Sequence, residues 1–367
     1  MLDRQYDKFN VRNVCLFAIA FVPVSKIFLL PSIMAHYAFS DMWISALINV
    51  MLDTIALFCA VLLWKRYQGK DFYEILSETL GTTGAKIIYA LYFVYFIVKA
   101  YSPITEQKIY VERTLYESTT TVFTFLPFFA LSAYLASKKI FVLGRLADIM
   151  FLFTVAGMFL LFVLAFSNTD FAAVLPLGVN GVGKIVRGSF VSFNWFGDGI
   201  YFFFLMGRVL PEKKAYVRIL PCFVFAGLLV VFFMLMFYGA FSVLAPRQEF
   251  ALTEIAKYSV AVNNIGRFDY IAVFFLLFTG AVSMALPLYF ATECFVKVCN
   301  LKTKMWTAFV IHVVMFAVIY CLAPYIDSAM RLVTGYLGWF FMIMAYVLPV
   351  LTLFLRGKGK YEEKNES

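Results

Sequence analysis

Long apolar stretches alternate with short polar segments along the whole chain. Each stretch reaches about 20 residues, which as a helix cross the hydrocarbon core of a bilayer. The pattern predicts an all-α integral membrane protein with ten transmembrane helices. The predicted spans are 11–35, 41–64, 86–113, 119–137, 145–167, 188–208, 216–244, 268–297, 305–323 and 331–355.

Two of the predicted spans contain residues that a continuous membrane helix disfavours. The first span carries Ser25, Lys26 and Ile27 between two prolines, and the sixth carries the run Asn194-Trp195-Phe196-Gly197-Asp198-Gly199. Non-helical backbone at membrane depth is tolerated only where protein or a water-filled cavity covers it. A pair of Gly/Pro-broken spans in corresponding halves indicates a transporter-type binding site. We therefore expect the functional site where the two breaks meet.

The positions of the breaks also predict internal symmetry. Breaks in the first and sixth spans divide the ten spans into five and five, and because five is odd the second half enters the membrane from the opposite side. This favours a 5+5 inverted repeat within one transmembrane domain, 1–367. Repeat one covers about 11–167, repeat two about 188–355, and a short charged cytoplasmic tail covers 356–367.

Two segments between the spans have the pattern of surface helices. Apolar and charged residues alternate at a spacing of three to four over 65–85, which is typical of an amphipathic helix lying on the inner membrane surface. Residues 249–263 are interpreted as a second such element on the outer side.

The distribution of Lys and Arg predicts the orientation. Two thirds of these 31 residues fall in segments that are cytoplasmic if the N-terminus is inside. The positive-inside rule therefore predicts a multi-pass protein of the cell membrane with both termini cytoplasmic. The net charge of +9 follows from this bias and suits an anionic inner leaflet, so it indicates no nucleic-acid partner.

Composition and motifs limit the classes of function. The chain is 63% apolar and 14% charged, whereas soluble chains average about 45–50% and about 25%, so little of it lies outside the bilayer. No nucleophile motif, phosphate loop or H-E-x-x-H motif is present, and the two histidines are far apart in sequence. The sequence predicts no catalytic residues, no metal site and no cofactor, and the protein is not expected to be an enzyme.

Ionisable residues inside apolar spans are the candidate chemistry, because each costs about 2.5–3.5 kcal/mol at a helix centre. Lys26 and Asp198 lie in the two breaks; they either bind or couple a ligand, or they form a structural salt bridge. Glu106 in the third span is a second candidate partner for Lys26 and a candidate cavity residue. The candidate ligand-binding or coupling residues are Ser25, Lys26, Ile27, Glu106, Asn194, Trp195, Gly197, Asp198 and Gly199.

Several other ionisable residues rank lower as candidates. Lys99 is interpreted as a snorkelling side chain whose head reaches the membrane surface. Asp148 and Glu293 lie near inner helix ends, where pairing with Arg145 or Lys297 explains them. Asp53 and His312 are also placed below the residues of the two breaks.

Four sequence motifs resemble those of a known family. They are Leu30-Pro31 at the end of the first span; Asp41-x-Trp43-Ile44-Ser45 at the start of the second; Phe72, Glu78, Leu80-Gly81, Gly84 and Lys86 in the following loop; and Ile265-Gly266-Arg267-Phe268-Asp269 before the eighth span. Over nearly the whole chain this order resembles the spore germination permease family. Its members are the integral-membrane B subunits of nutrient germinant receptors, a branch of the amino acid–polyamine–organocation transporter superfamily.

The resemblance implies a receptor subunit in the inner membrane of the spore that binds a small nutrient, with an amino acid expected first. It also implies two partners, an A-type membrane subunit and a C-type lipoprotein subunit. In the transporter pattern the first break is rich in glycine, and here Val24-Ser25-Lys26 replaces it. Two alternatives remain open: a proton- or cation-coupled permease for amino acids or other organic solutes, and a scaffold subunit that has lost small-molecule binding.

Overall fold

The computed structural model describes residues 9–112, 121–210, 212, 214–257, 269–301 and 303–354. Within them the secondary structure is helical, with one isolated β-bridge between Phe9 and Val209 and no strand. The predicted tail at 356–367 and most of the motif at 265–269 lie outside the described residues, so their predictions remain predictions.

The helices of the first half follow the predicted spans closely. Their bounds are α1 Val11–Phe21, α2 Leu30–Ala38, α3 Met42–Arg66, α4 Phe72–Tyr110, α5 Thr121–Ser137 and α6 Ile140–Phe166. The first span is interrupted between α1 and α2, as predicted. Pro31 stands in the first turn of α2, where its missing N–H leaves no hydrogen bond unmade.

The second half contains more interruptions than the first. Its helices are α7 Val182–Val191, α8 Tyr201–Leu205, α9 Ala215–Phe241, α10 Ala251–Lys257, α11 Asp269–Ser283, α12 Ala285–Cys299, α13 Lys304–Cys321, α14 Ile326–Arg331, α15 Gly338–Met342 and α16 Leu348–Phe354. The sixth span is broken between α7 and α8, as predicted. The predicted tenth span is bent by 49° between 323–336 and 338–354.

Six helical stretches of the described chain are long and apolar enough to cross a membrane, or seven if the bent pair counts as one span. They are Leu30–Arg66, Phe72–Tyr110, Ile140–Phe166, Ala215–Arg247, Tyr270–Cys299 and Lys304–Cys321. The fold is therefore all-helical and multi-pass, while the count of ten spans remains a prediction.

The predicted inner surface helix forms the start of α4. Asp71 caps it by accepting a hydrogen bond from the N–H of Glu74, and the Glu74 carboxylate accepts one from the N–H of Asp71. Gly81 interrupts the helical geometry with φ of 80°, and the helix then continues into the membrane. Helix α10 occupies part of the element 249–263 that is predicted on the outer side, and the remainder of that element lies outside the described residues.

A polar seam fixes α7 against α3 and positions the sixth-span break. The Asn49 amide donates to the carbonyl oxygen of Ser189 at 3.1 Å and to Ser192 Oγ at 2.7 Å. Ser45 Oγ donates to the carbonyl oxygen of Ile185 at 2.8 Å. Buried polar side chains need such partners because an unmade hydrogen bond in hydrocarbon is costly. The seam therefore sets the point at which α7 ends.

Candidate functional site

The two breaks meet through a buried ion pair. Lys26 lies in the single turn Val24–Lys26 and is fully buried, and its Nζ contacts Oδ2 of Asp198. The same Nζ donates to the carbonyl oxygen of Val22 at 2.7 Å. That carbonyl lies just beyond α1, so Lys26 satisfies a backbone group at the break as well as the carboxylate.

Lys99 of α4 is a second cation at the same carboxylate. Its Nζ lies 3.3 Å from Oδ1 of Asp198 and donates to the carbonyl oxygens of Phe196 and Asn194, the latter at 3.3 Å. The side chain is buried at 3% exposure, so its interpretation as a snorkelling residue is wrong. A snorkelling lysine reaches the membrane surface so that water can hydrate its ammonium group. Here three protein oxygen atoms contact the ammonium group of Lys99 in place of water.

Asp53 of α3 holds the backbone of the sixth-span break. Its Oδ1 accepts hydrogen bonds from the N–H of Gly197 at 2.7 Å and from the Tyr346 hydroxyl at 2.8 Å, and its Oδ2 accepts one from the N–H of Asp198 at 3.3 Å. From the sequence, Asp53 is placed below the residues of the two breaks as a candidate. The signal that identifies it is the one used for Lys26, a charge within an apolar span.

The four charged side chains at the centre balance one another. Lys26 and Lys99 supply two basic groups, Asp53 and Asp198 supply two acidic groups, and all four side chains are buried. Each carboxylate has hydrogen-bond donors, and each ammonium has oxygen acceptors. Buried charges persist in proteins when they are paired and hydrogen-bonded in this way.

Glu106 does not pair with Lys26, which was its second candidate partner. Its Oε1 accepts a hydrogen bond from the Trp195 indole N–H at 2.5 Å, and Leu29 makes a backbone hydrogen bond to the same carboxyl group. Leu29 lies directly before α2, so Glu106 joins both breaks from the side of α4. Its role in the site is to link them through a network separate from the central ion pair.

A small cavity of about 30 Å³ lies between the breaks. Its polar wall includes Ser25, Lys99, Asn194, Asp198 and Ser283, and α1 and the start of α12 supply apolar wall. This volume holds about one or two water molecules. The Asn194 amide donates to Ser102 Oγ at 2.5 Å, while its buried Oδ1 has no hydrogen-bond partner among the described residues.

The candidate residues thus have different surroundings. Trp195 lines the cavity beside Ser25, Asn194 and Asp198, whereas Ile27 is fully buried in an apolar cluster with Val24 and Phe28. Gly197 adopts φ of +83°, and Gly199 packs directly on the backbone of α3. In the described part of the chain, no group of three or more His, Cys, Asp or Glu side chains could hold a metal ion.

The two broken segments are also joined at their Lys/Arg-rich ends. Phe9, just before α1, pairs with the backbone after α8: its N–H donates to the carbonyl oxygen of Arg208, and its own carbonyl oxygen accepts from Leu210, both at 2.8 Å. The Arg208 guanidinium lies 2.9 Å from the Glu293 carboxylate, which also contacts Lys304 at 2.5 Å. These contacts hold the segment before α1 against the segment after α8.

A family model described as spore germination protein matches residues 11–325. The chain belongs to this family. The match confirms the resemblance to the spore germination permease family that was drawn from the four motifs. None of the curated proteins matches the chain in sequence.

Transporters are among the solved structures that are similar to this chain. One is Mhp1, a nucleobase-cation-symport-1 family transporter in a closed conformation with bromovinylhydantoin bound. It is 14% identical with a TM-score of 0.61, and the match covers 92% of this chain and 78% of Mhp1. Another is a manganese transporter from Eremococcus coleocola, 13% identical with a TM-score of 0.56, covering 94% of this chain and 78% of the transporter.

These identities establish the fold alone: the chain has a transporter-type helical fold. The family to which the chain belongs confirms the expectation that the protein is not an enzyme. It is a permease-like multi-pass membrane protein.

Proposed function

We propose that this protein is the membrane-embedded subunit of a nutrient germinant receptor, in which a small nutrient binds between the two helix breaks and thereby triggers germination. The observation that carries the proposal is the junction of the breaks at Lys26 and Asp198, with a cavity beside it. Family membership supports the setting: the inner membrane of the spore, with an A-type membrane subunit and a C-type lipoprotein as partners.

The chemistry of the cavity wall favours an amino acid as the nutrient. Lys99 and Asp198 both line it, so an ammonium and a carboxylate face the same small space. A zwitterion presents the complementary pair of charges. The unpartnered Oδ1 of Asn194 supplies a further acceptor for an ammonium group.

The size of the cavity supports a change of conformation on binding. A volume of about 30 Å³ accommodates water but no amino acid, so the ligand requires a more open arrangement of the breaks. A ligand that binds one conformation better than the other shifts the equilibrium between them. The contacts of Phe9 with Arg208 and Leu210 stabilise the arrangement of the two broken segments in this structure.

Packing supports a ten-span arrangement with a 5+5 inverted repeat. The spans five apart in sequence pack on each other: α3 on α9, α4 on α12, and α5 on α13. A two-fold axis that relates the halves places these equivalent spans side by side. The proposal divides the chain into 11–167 and 188–355, as the sequence pattern predicts.

The second candidate function is proton- or cation-coupled transport of an amino acid or another organic solute. The transporter-type fold favours it. Uptake of radiolabelled substrate by the lone chain in proteoliposomes is expected for a transporter. A receptor subunit is expected to show none, and to respond only with its partner subunits.

The receptor proposal predicts that narrowing the cavity weakens the nutrient response. Ser283 lines the cavity, and we expect Ser283→Val to raise the nutrient concentration for half-maximal germination by on the order of tenfold or more, the usual effect of one methylene in a binding pocket. Dose-response curves of spores that carry the variant measure this shift, with subunit levels checked by immunoblot.

The control for this experiment is Ser32→Val. Ser32 is also 8% exposed, but it lies in α2 outside the cavity. Ser283 Oγ donates to the carbonyl oxygen of Gly280 at 2.8 Å, whereas Ser32 Oγ has no partner among the described residues, so the control matches burial and not this hydrogen bond. We expect wild-type sensitivity for the control. Wild-type sensitivity for Ser283→Val at normal subunit levels would contradict nutrient binding in this cavity.

Two native cysteines test the predicted orientation. All six cysteines are free, and Cys299 and Cys321 are exposed. Helix α13 begins at Lys304 near Cys299 and ends at Cys321, and its 18 residues span about 27 Å. With the other five cysteines replaced, we expect Cys321 in intact cells to react with an impermeant maleimide and Cys299 to be protected until the cells are lysed. The reverse pattern would contradict cytoplasmic termini.

A further inference from the structure

An apolar groove on the surface of the helix bundle lies far from the two breaks. It runs between the antiparallel helices α5 and α13 and has a volume of about 420 Å³. One end lies at Leu126 and Phe316, and the other at Ser137 and Met305. From Leu126 to Ser137 the groove follows α5 for about 16 Å, roughly half the hydrocarbon thickness of a bilayer.

The lining of the groove is suited to a hydrocarbon chain. Ala130 and Ala133 create its depth, and aromatic and aliphatic side chains form its walls. His312 lies at its floor, but both ring nitrogens are engaged, with Ser132 Oγ at 2.8 Å and the carbonyl oxygen of Ala308 at 2.7 Å. The groove therefore offers little polar recognition along its length, and polarity is confined to one end.

That polar end is basic. Lys138 follows Ser137 directly, and its Nζ lies 4.4 Å from the ring centroid of Tyr134, which lines the groove. No carboxylate of the described residues lies within salt-bridge distance of Lys138. Lys304 stands beside Met305 at the same end and donates to the carbonyl oxygen of Lys138 at 3.2 Å. The Tyr134 contact thus holds an uncompensated ammonium at the rim.

We propose that this groove is a binding site for one anionic phospholipid, with an acyl chain between α5 and α13 and its phosphate at Lys138. The charge at the mouth matches an anionic headgroup, and basic pockets between transmembrane helices bind such lipids. The length of the groove matches a single leaflet. A partner helix would instead need a contact surface over the full membrane thickness, and the groove ends at Phe316, about 18 Å along the roughly 27 Å of α13.

The experiment compares phosphatidylglycerol and phosphatidylcholine of identical acyl chains, titrated onto the purified full-length protein and counted by native mass spectrometry. We expect tighter retention of phosphatidylglycerol. Lys138→Gln removes the headgroup contact, and the usual contribution of one lysine near an anionic lipid surface corresponds to about a fivefold loss. Ala133→Phe fills the groove and is expected to lower the retention of both lipids.

Two matched controls separate the groove from general effects. Lys65 has the same kind of contact, with its Nζ 3.3 Å from the Tyr216 ring centroid, but lies away from the groove. Ala317 is exposed on α13 outside the groove. We expect Lys65→Gln and Ala317→Phe to retain both lipids as the unmodified protein does.

Three results would overturn the proposal. The first is equal retention of the two lipids by the unmodified protein, and the second is unchanged retention in both groove variants. The third is a cross-linked dimer in liposomes that Ala133→Phe abolishes while lipid retention stays the same, because the groove would then hold a helix of a second copy. Cross-linking of the protein in liposomes of each lipid tests for such a dimer.

Discussion

Replacing Lys26 with Met will strongly destabilise the protein, by about 3–5 kcal/mol, the usual cost of removing one member of a buried ion pair. The change leaves Asp53 and Asp198 with Lys99 as their one remaining cationic partner in the described centre. Asp198→Asn is expected to destabilise the protein by a similar amount, because it leaves an excess of positive charge at the centre. Thermal unfolding of the purified protein in one detergent, together with the level in membranes, measures both effects.

The double variant distinguishes a true pair from two independent residues. We expect Lys26→Met with Asp198→Asn to cost less than the sum of the single changes, by about 0.5–3 kcal/mol, because the centre becomes neutral again. Lys26→Met with Glu106→Gln should be nearly additive, since Glu106 contacts Trp195 instead. Strict additivity for the Lys26 and Asp198 changes would contradict the pairing.

A surface ion pair provides the control for this comparison. Lys70 and Glu78 lie 2.7 Å apart, but both side chains are more than 40% exposed. Exposed pairs contribute about 0–1 kcal/mol, so Lys70→Met should change the unfolding temperature little. A similar loss for Lys70→Met would show that the measurement reports charge in general.

Local composition was sufficient to predict where the two breaks lie. Pro23, Pro31 and the Gly197-Asp198-Gly199 run disfavour a continuous helix, and charges in apolar spans identified Lys26 and Asp198. Both signals depend on residues close together in sequence. The structure places the breaks against each other, with Lys26 Nζ on the Asp198 carboxylate.

The roles of Asp53 and Lys99 were not predicted, because they depend on contacts between distant spans. Asp53 accepts from the N–H groups of Gly197 and Asp198, and Lys99 donates to the carbonyl oxygens of Asn194 and Phe196. These backbone groups become available only because the helix is broken. Asp53 and Lys99 are also ionisable residues within apolar spans, which is the feature that identified Lys26 and Asp198.

Gly197 and Gly199 cannot be distinguished from the sequence, whereas their surroundings in the structure differ. A Cβ on Gly199 would lie 2.5 Å from the Asp53 carbonyl oxygen and 3.0 Å from the Leu57 backbone nitrogen. A Cβ on Gly197 would lie 2.7 Å from the Tyr95 hydroxyl oxygen, the far end of a side chain, and 2.9 Å from Ala345 Cβ. The backbone of α3 cannot move aside as easily as the Tyr95 hydroxyl group can. An added Cβ is therefore tolerated less well at Gly199 than at Gly197.

We therefore expect Gly199→Ala to be the more damaging of the two substitutions. The added methyl group forces α3 away from the break. Overpacking a core usually destabilises a protein by about 1–3 kcal/mol, and we expect a loss of stability of at least about 3 kcal/mol here. The protein should therefore fail to accumulate in membranes. Gly197→Ala meets a cost of about 1–2 kcal/mol for a side chain at positive φ, and the close approach to Ala345 Cβ adds to it. That variant should reach the membrane, and its nutrient response should shift to higher concentration because the break is strained.

Gly183→Ala is the matched control, since a Cβ there meets nothing within 4 Å and the residue lies in α7 of the same broken span. Alanine favours a helix over glycine by about 1 kcal/mol, so this variant should accumulate and respond normally. Membrane levels by immunoblot and dose-response of germination test all three variants. Normal levels of Gly199→Ala would show that α3 does not pack against the break, and would remove the basis for Asp53 as its backbone acceptor.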